Sequence, residues 1–126
     1  MKKKIQTDKA PKAIGPYSQA IQAGNIIFCS GQIPIDPASG ELIKGNVKEQ
    51  TVRVMENLEA VLVKAGATFK NVVKTTIFLI DLANFSDVNE IYAKYFDDIP
   101  PARATVQVAK LPRDVDVEID AIAVLN

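Results

Sequence analysis

The chemistry open to this chain is bounded first by what it lacks. Its 126 residues contain no histidine and a single cysteine. A Ser-His-Asp triad, a Cys-His pair and a histidine-ligated zinc or iron are therefore excluded, and any metal site is disfavoured. The glycine-rich fingerprints of phosphate-binding loops and of dinucleotide-binding folds are missing as well. What remains is Asp, Glu, Tyr, Arg, Lys, Ser, Thr, Cys29 and the backbone. Arg103 is the first candidate. It is one of three arginines against twelve lysines. Arg53 falls on a helix and Arg113 in a turn, whereas Arg103 lies inside a strand-like stretch. Its rigid fork matches a carboxylate in a bidentate way that lysine cannot reproduce. Glu118 is the natural water-positioning group or general base. Tyr17, after Gly15-Pro16, can close a pocket and offer its hydroxyl. Gly31 ends an apolar strand, where a residue without a Cβ marks either close approach of a ligand or a plain turn. Each has a purely structural alternative: an ion pair of Arg103 with Glu118 or Asp120, an exposed strand carboxylate at 118, a packing tyrosine at 17. Cys29, in a buried apolar strand, reads as an inert core thiol.

The elements that must position these residues follow from period. Pro101-Ala-Arg-Ala-Thr-Val-Gln-Val108 and Val115-Asp-Val-Glu-Ile-Asp-Ala-Ile-Ala-Val-Leu125 alternate with period two, as half-buried strands do. Arg103, Thr105 and Gln107 share one face of the first, and Asp116, Glu118 and Asp120 share one face of the second. Leu111-Pro-Arg-Asp114 between them has turn chemistry. The simplest expectation is an antiparallel hairpin with Arg103 opposite Glu118, Asp120 or Ile122. In the first two registers a guanidinium and carboxylates lie on one polar surface able to hold a planar anion and a water.

Upstream, Lys3–Thr7 reads as a short edge strand, Ala10–Pro16 as a loop and Tyr17–Ala23 as a strand. Gly24-Asn25 is a turn, Ile26–Ser30 a central strand and Ile33–Gly45 a long surface loop. Asn46, with Glu49 as capping-box partner, starts a helix whose apolar face is Val52, Met55, Leu58, Leu62 and Ala65, closed by Gly66. Asn71–Asp81 reads as a strand. Asn84 or Ser86 caps a second helix with Val88, Ile91, Tyr92, Tyr95 and Phe96 inward, and Pro100-Pro101 stops it. The order β-β-β-α-β-α-β-β predicts one α+β domain over residues 1–126, with two helices on one face of a mixed sheet. Several strands are apolar on both faces, so the uncovered face is expected to be buried by other copies of the chain.

Formal net charge is zero and the pI is about 6.2. Apart from Lys2-Lys3-Lys4, read as a solvated terminus, there is no basic stripe, which argues against nucleic acid as a partner. No apolar run approaches the ~18 to 20 residues that span a bilayer, and no apolar segment of about 7 to 15 residues follows the lysines to make a signal peptide. With one cysteine and no disulfide framework, the expected location is the cytoplasm.

Five short motifs in order, Gly15-Pro-Tyr-Ser-Gln-Ala20, Ser30-Gly-Gln-Ile-Pro34, Asn89-Glu-Ile-Tyr92, Pro101-Ala-Arg103 and Val117-Glu-Ile119, resemble the RidA/YjgF family from Ile5 to Leu125. The resemblance implies a chorismate-mutase-like fold in a homotrimer. The sheets would form a central barrel, the helices would lie outside, and three clefts would lie between subunits. It implies 2-iminobutanoate/2-iminopropanoate deaminase activity: hydrolysis of enamine/imine products of pyridoxal-phosphate enzymes to 2-oxo acids and ammonia, without cofactor or metal. Arg103 falls on the family arginine that grips the substrate carboxylate. Tyr17, Gly31 and Glu118 fall on cleft-lining positions. Thr105 stands where many members carry cysteine, which leaves its backbone as a hydrogen-bond partner and removes a thiol. Other readings implied by the family are a non-catalytic 2-oxo acid binder, a chaperone, and a ribonuclease or translation inhibitor.

Overall fold

The computed structural model describes residues 1–126. Strands are β1 (Lys2–Ile5), β2 (Ala20–Ala23), β3 (Ile26–Gln32), β4 (Val72–Leu79), β5 (Ala102–Gln107) and β6 (Val117–Val124); helices are α1 (Val47–Lys64) and α2 (Phe85–Ala93). The six strands form one mixed sheet in the order β1-β2-β3-β6-β4-β5. The expected α+β arrangement, two helices on one face of a mixed sheet, is the one observed. No helix is long and apolar enough to cross a membrane.

Helix α1 forms where its capping signals place it. Asn46 Oδ1 accepts from the Glu49 N–H at 2.9 Å, and Glu49 Oε1 accepts from the Asn46 N–H at 3.1 Å. Two orphan donors of the first turn are thereby satisfied, and losing such a cap costs about 1 kcal/mol. At the other end Gly66 has a φ of +84°. This lets Gly66 N donate to Val63 O and Ala67 N to Leu62 O, at 3.0 and 2.9 Å, closing the helix with a residue that has no Cβ to clash. The buried stripe is wider than the apolar spacing alone suggests, because Thr51 and Asn57 are fully buried beside Val54, Met55, Leu58 and Leu62. These side chains meet Ile77 and Leu79 of β4 and Val117 and Ile119 of β6, all completely buried. The start of α2 is joined to α1 by Lys48, whose Nζ lies 2.9 Å from Glu90 and 3.9 Å from Asp87.

Three expectations are corrected. Strand β2 begins at Ala20, so Tyr17 stands in the loop before it. Asn84 occupies the N-cap position of α2, but its side chain makes no capping hydrogen bond. Above all, β5 and β6 do not form a hairpin. Strand β5 pairs in parallel with β4, Thr75 against Arg103 and Phe78 against Val106. Strand β6 pairs antiparallel with both β3 and β4, with Phe78 against Glu118. None of the three proposed registers occurs. Alternation fixes which residues share a face of a strand and says nothing about which strand lies alongside. The β4–α2–β5 unit is a crossover, which returns the chain parallel to its starting strand. Residues 108–116 then carry it past β4 to the slot between β3 and β4. Strand β6, with one face wholly buried, suits that central place, while β5, exposed along most of its length, is an edge.

The face of the sheet away from the helices is uncovered, as its double-sided apolar strands imply. Ile26, Phe28 and Val106 are 36, 46 and 40% exposed there, beside half-buried Phe78, Ile122 and Val124.

Candidate functional site in two halves

The sequence-predicted residues fall into two clusters on opposite faces of the sheet. Arg103 pairs with Thr75, which is buried on the helix side. Glu118 lies between Val117 and Ile119, which are buried on that side, so its own side chain is on the uncovered face. The sheet separates the two groups within one chain, and the expected single polar surface does not exist.

The Glu118 half is a cleft of about 590 Å³ whose lining includes Lys12, Tyr17, Gly31, Gln32, Arg113 and Glu118. The pairing of β3 with β6 shifts register between Cys29 and Gln32. This bulge brings residue 31 against the neighbouring strand's side chain, as bulges often do near functional sites. A Cβ at 31 would lie on the Glu118 carboxylate, with Cδ only 2.9 Å away. Glycine is required here for space, since its φ is not in the left-handed region. Half-burial, and secondarily the charge of Asp120, raise the Glu118 pKa above its ordinary value. Tyr17 is 54% exposed at the rim.

Three carboxamides tie segments at and beside this cleft, with Gln19 and Asn57 buried and Gln50 half-buried. The Gln19 side chain binds the 7–11 segment. Asn57 Nδ2 donates to Ile33 O and Ile35 O at 3.2 and 2.9 Å. Gln50 brackets Asp116, donating to its Oδ2 at 2.8 Å and accepting from its N–H at 3.0 Å. Asp116 thus turns to α1 and leaves the polar set expected with Glu118 and Asp120. Sequence reading gave Gln50 and Asn57 no role because the periodicity of α1 speaks only for its apolar positions, and Gln19 stood only inside the 15–20 motif.

The Arg103 half is a second cleft, of about 430 Å³, lined among others by Asn89, Tyr92, Pro100, Pro101 and Arg103. The guanidinium lies over the rings of Phe85 and Tyr92, 5.3 and 5.1 Å from their centroids. Its Nη1 donates to Asn89 Oδ1 at 2.8 Å. Tyr92 is itself fixed by a 2.7 Å hydrogen bond between its hydroxyl and that of buried Thr75. Arg103 therefore has a neutral amide and two ring faces as neighbours and no ion pair with Glu118 or Asp120. Its planar fork remains available to an anion. Phe85, Asn89 and Tyr92 are spaced four and three residues apart, on one helical face. That spacing is visible in the sequence, but their common partner on β5 is not. Thr105, two residues along the same face as Arg103, has a buried hydroxyl with no hydrogen-bond partner. Cys29 is a core thiol whose pKa burial pushes up to about 12.

Comparison with known proteins agrees with this architecture. Residues 7–125 match the family model described as Endoribonuclease L-PSP. The mouse protein named 2-iminobutanoate/2-iminopropanoate deaminase is 53% identical over 98% of this chain and 92% of its own length. Its human counterpart of the same name is 50% identical over 95% of this chain and 88% of its own. Among solved structures, Escherichia coli TdcF with bound serine superposes with a TM-score of 0.94 at 44% identity, covering 98% of this chain and 99% of that one. RidA from an Antarctic Psychrobacter gives the same TM-score, identity and coverage. With a family model spanning nearly all of it and relatives at half its residues identical, the chain belongs to the RidA/YjgF family.

Proposed function

We propose that this protein is a metal-independent deaminase that hydrolyses small 2-imino acids to 2-oxo acids and ammonia. We further propose that it works as a homotrimer in which Arg103 of one copy faces the Tyr17–Gly31–Glu118 cleft of the next. The observation that carries this reading is the state of Arg103: a guanidinium preset between two aromatic rings, held by a neutral amide and unpaired with any carboxylate. The placement of Glu118 on the opposite, apolar and uncovered face supports assembly, because only a second copy brings the halves together while burying Phe28 and Ile122. The mouse and human relatives' names support the reaction, and the serine bound to TdcF supports a ligand of α-amino-acid type.

The chemistry suits the inventory. A protonated 2-imino acid is already electrophilic at its C=N carbon. Arg103 fixes the carboxylate through paired N–H donors, and Glu118 accepts a hydrogen bond from one water and aims it at that carbon. The water oxygen bonds to carbon as the C=N π pair moves to nitrogen, giving a carbinolamine. The C–N bond then breaks with a proton delivered to nitrogen, and ammonia leaves as the carbonyl forms. Main-chain groups near Gly31 and Thr105 bind the nitrogen. Holding three partners in this geometry is worth several orders of magnitude in rate.

The test is a coupled assay in which an amino-acid dehydratase releases the imine beside a trapping agent. The protein should hasten 2-oxo acid release, and no acceleration would refute the activity. Arg103→Ala and Glu118→Gln should each be inactive alone. If sites are built across copies, trimers reassembled from an equal mixture should regain roughly a quarter of wild-type activity, because random assembly pairs one intact Arg103 with one intact Glu118 at that frequency.

A further inference from the structure

The motif Gly15-Pro-Tyr-Ser-Gln-Ala20 contains a residue that the mechanism does not use. Gln19 is 3% exposed, and its carboxamide is fully engaged. Oε1 accepts from Thr7 N–H at 2.7 Å, and Nε2 donates to Thr7 O, Ala10 O and Pro11 O at 3.0, 3.3 and 2.7 Å. Its main chain is tied in the other direction, since Gln19 O accepts from Ser30 N–H at 2.9 Å, next to Gly31. Little else fixes the 7–16 segment. Ala10 is its only buried residue, and one methyl contributes little burial. The segment runs between two cavities, the large cleft in front and one of about 220 Å³ behind, and Lys12, Tyr17 and Gln19 line both. A wall with space on either side has no packing to set its position. The amide sets it.

We infer that Gln19 is a positioning residue: it holds the 7–16 segment by its main-chain groups and thereby sets Tyr17 over Gly31 and Glu118. Asn57 and Gln50 bind segments that face α1, whereas the 7–16 segment depends on Gln19; Ser30 Oγ, donating to Ser18 O at 2.6 Å, ties only the end next to Tyr17. The kinetic consequence rests on the imine-hydrolysis reading, while the structural consequence does not.

Gln19→Met keeps length and removes every hydrogen bond of the side chain. Amide exchange at Thr7 should accelerate roughly five- to tenfold, the factor that one lost hydrogen bond of ordinary strength gives. Turnover of the imine, kcat/KM, should fall about a hundredfold, the scale of a misplaced site wall. In a Tyr17→Ala background the same substitution should cost little more, because the wall then has nothing to present. Equal further losses in both backgrounds would make Gln19 a general stabiliser and overturn the inference, as would unchanged exchange at Thr7. If wild type itself fails to hydrolyse imines, the activity reading falls and the exchange result alone decides for or against the hold. Should Gln19→Met not fold, Gln19→Glu serves in its place. Its carboxylate still accepts from Thr7 N–H but can donate to one of the carbonyls only while protonated, so kcat/KM relative to wild type should fall as pH rises. A ratio that stays flat would overturn the inference.

Discussion

The two halves of the candidate site are built on different principles. Around Arg103 everything needed is supplied by one chain. Phe85 and Tyr92 present ring faces, Asn89 accepts one N–H, and Thr75 anchors Tyr92 from the core. Around Glu118 the chain supplies a carboxylate and the space beside it, at a bulge next to a glycine, but leaves the surrounding sheet face bare. The cation is preset and waits for an anion. The carboxylate waits for a cover. The difference teaches that a charge is easily oriented by a helix packed beside it, whereas water exclusion at a sheet face needs another surface.

The strongest way to break this contrast is to remove the cover. Phe28→Asp adds a charge at a position 46% exposed in the single chain, so each protomer should keep its fold and both half-sites. Assembly should be lost and turnover should fall to background. A monomer by light scattering that still hydrolyses imines would show that one chain suffices.

The next largest effect should come from the preset half. Arg103→Lys should fail almost as badly as Arg103→Ala, since a point charge lacks the bidentate fork. The loss in kcat/KM should correspond to about 2 to 4 kcal/mol of transition-state stabilisation. Arg103 has no protein carboxylate to leave unpaired, so thermal stability should barely change. A large drop in Tm with retained turnover would return Arg103 to a structural role.

A smaller effect should follow from filling the space beside the carboxylate. In Gly31→Ala the new Cβ meets the end of a flexible side chain, Glu118, so the fold should survive and the carboxylate should swing aside. Turnover should fall about tenfold to a hundredfold through misplacement of the water. Affinity for an unreactive 2-oxo acid, measured by calorimetry, should hold because Arg103 is untouched. Full activity in Gly31→Ala would mean that the Glu118 position is unimportant.

The smallest effect concerns proton linkage. The folded-state pKa of Glu118 is raised above the ordinary 4.5 by burial and then by Asp120. A raised carboxyl binds its proton more tightly in the folded state, so its contribution to stability is fully present below the unfolded value and disappears as pH rises through the folded one. Glu118→Gln removes that dependence. Its Tm should match wild type near pH 4 and exceed it at higher pH, by a margin that grows between the unfolded and the folded pKa and is constant above the folded one. If Glu118 holds the water as proposed, the wild-type rate should rise over the same window as its carboxylate ionises. A Tm difference independent of pH would remove the linkage.

The capping box at Asn46–Glu49, the stop at Gly66 and the strand alternations are local devices, and they could be read directly. So could the need for something to cover a second apolar face, since Phe28 and Ile122 declare it by pattern. Arg103, Glu118, Tyr17 and Gly31 stood out as candidates by residue type and place. Asn89 and Gln19 appeared only inside motifs and Tyr92 also on a helix's apolar face, all without their partners, and Gln50 and Asn57 had no signal beyond being amides. Their bonding reaches across 8 to 66 residues, and no local pattern encodes a contact at such separation.

The strand order is where local information ended. A period of two told which side of its own strand Arg103 occupies and which side Glu118 occupies. It could not tell that β4 runs between them, or that their two sides belong to opposite faces of the sheet. Side-chain alternation is a property of one strand, whereas pairing depends on which edges the rest of the chain leaves open after α1 and α2 have packed. The sequence by itself determined the candidate chemical groups and the apolar surfaces. Only the tertiary structure decided that one chain holds the two halves of its site apart.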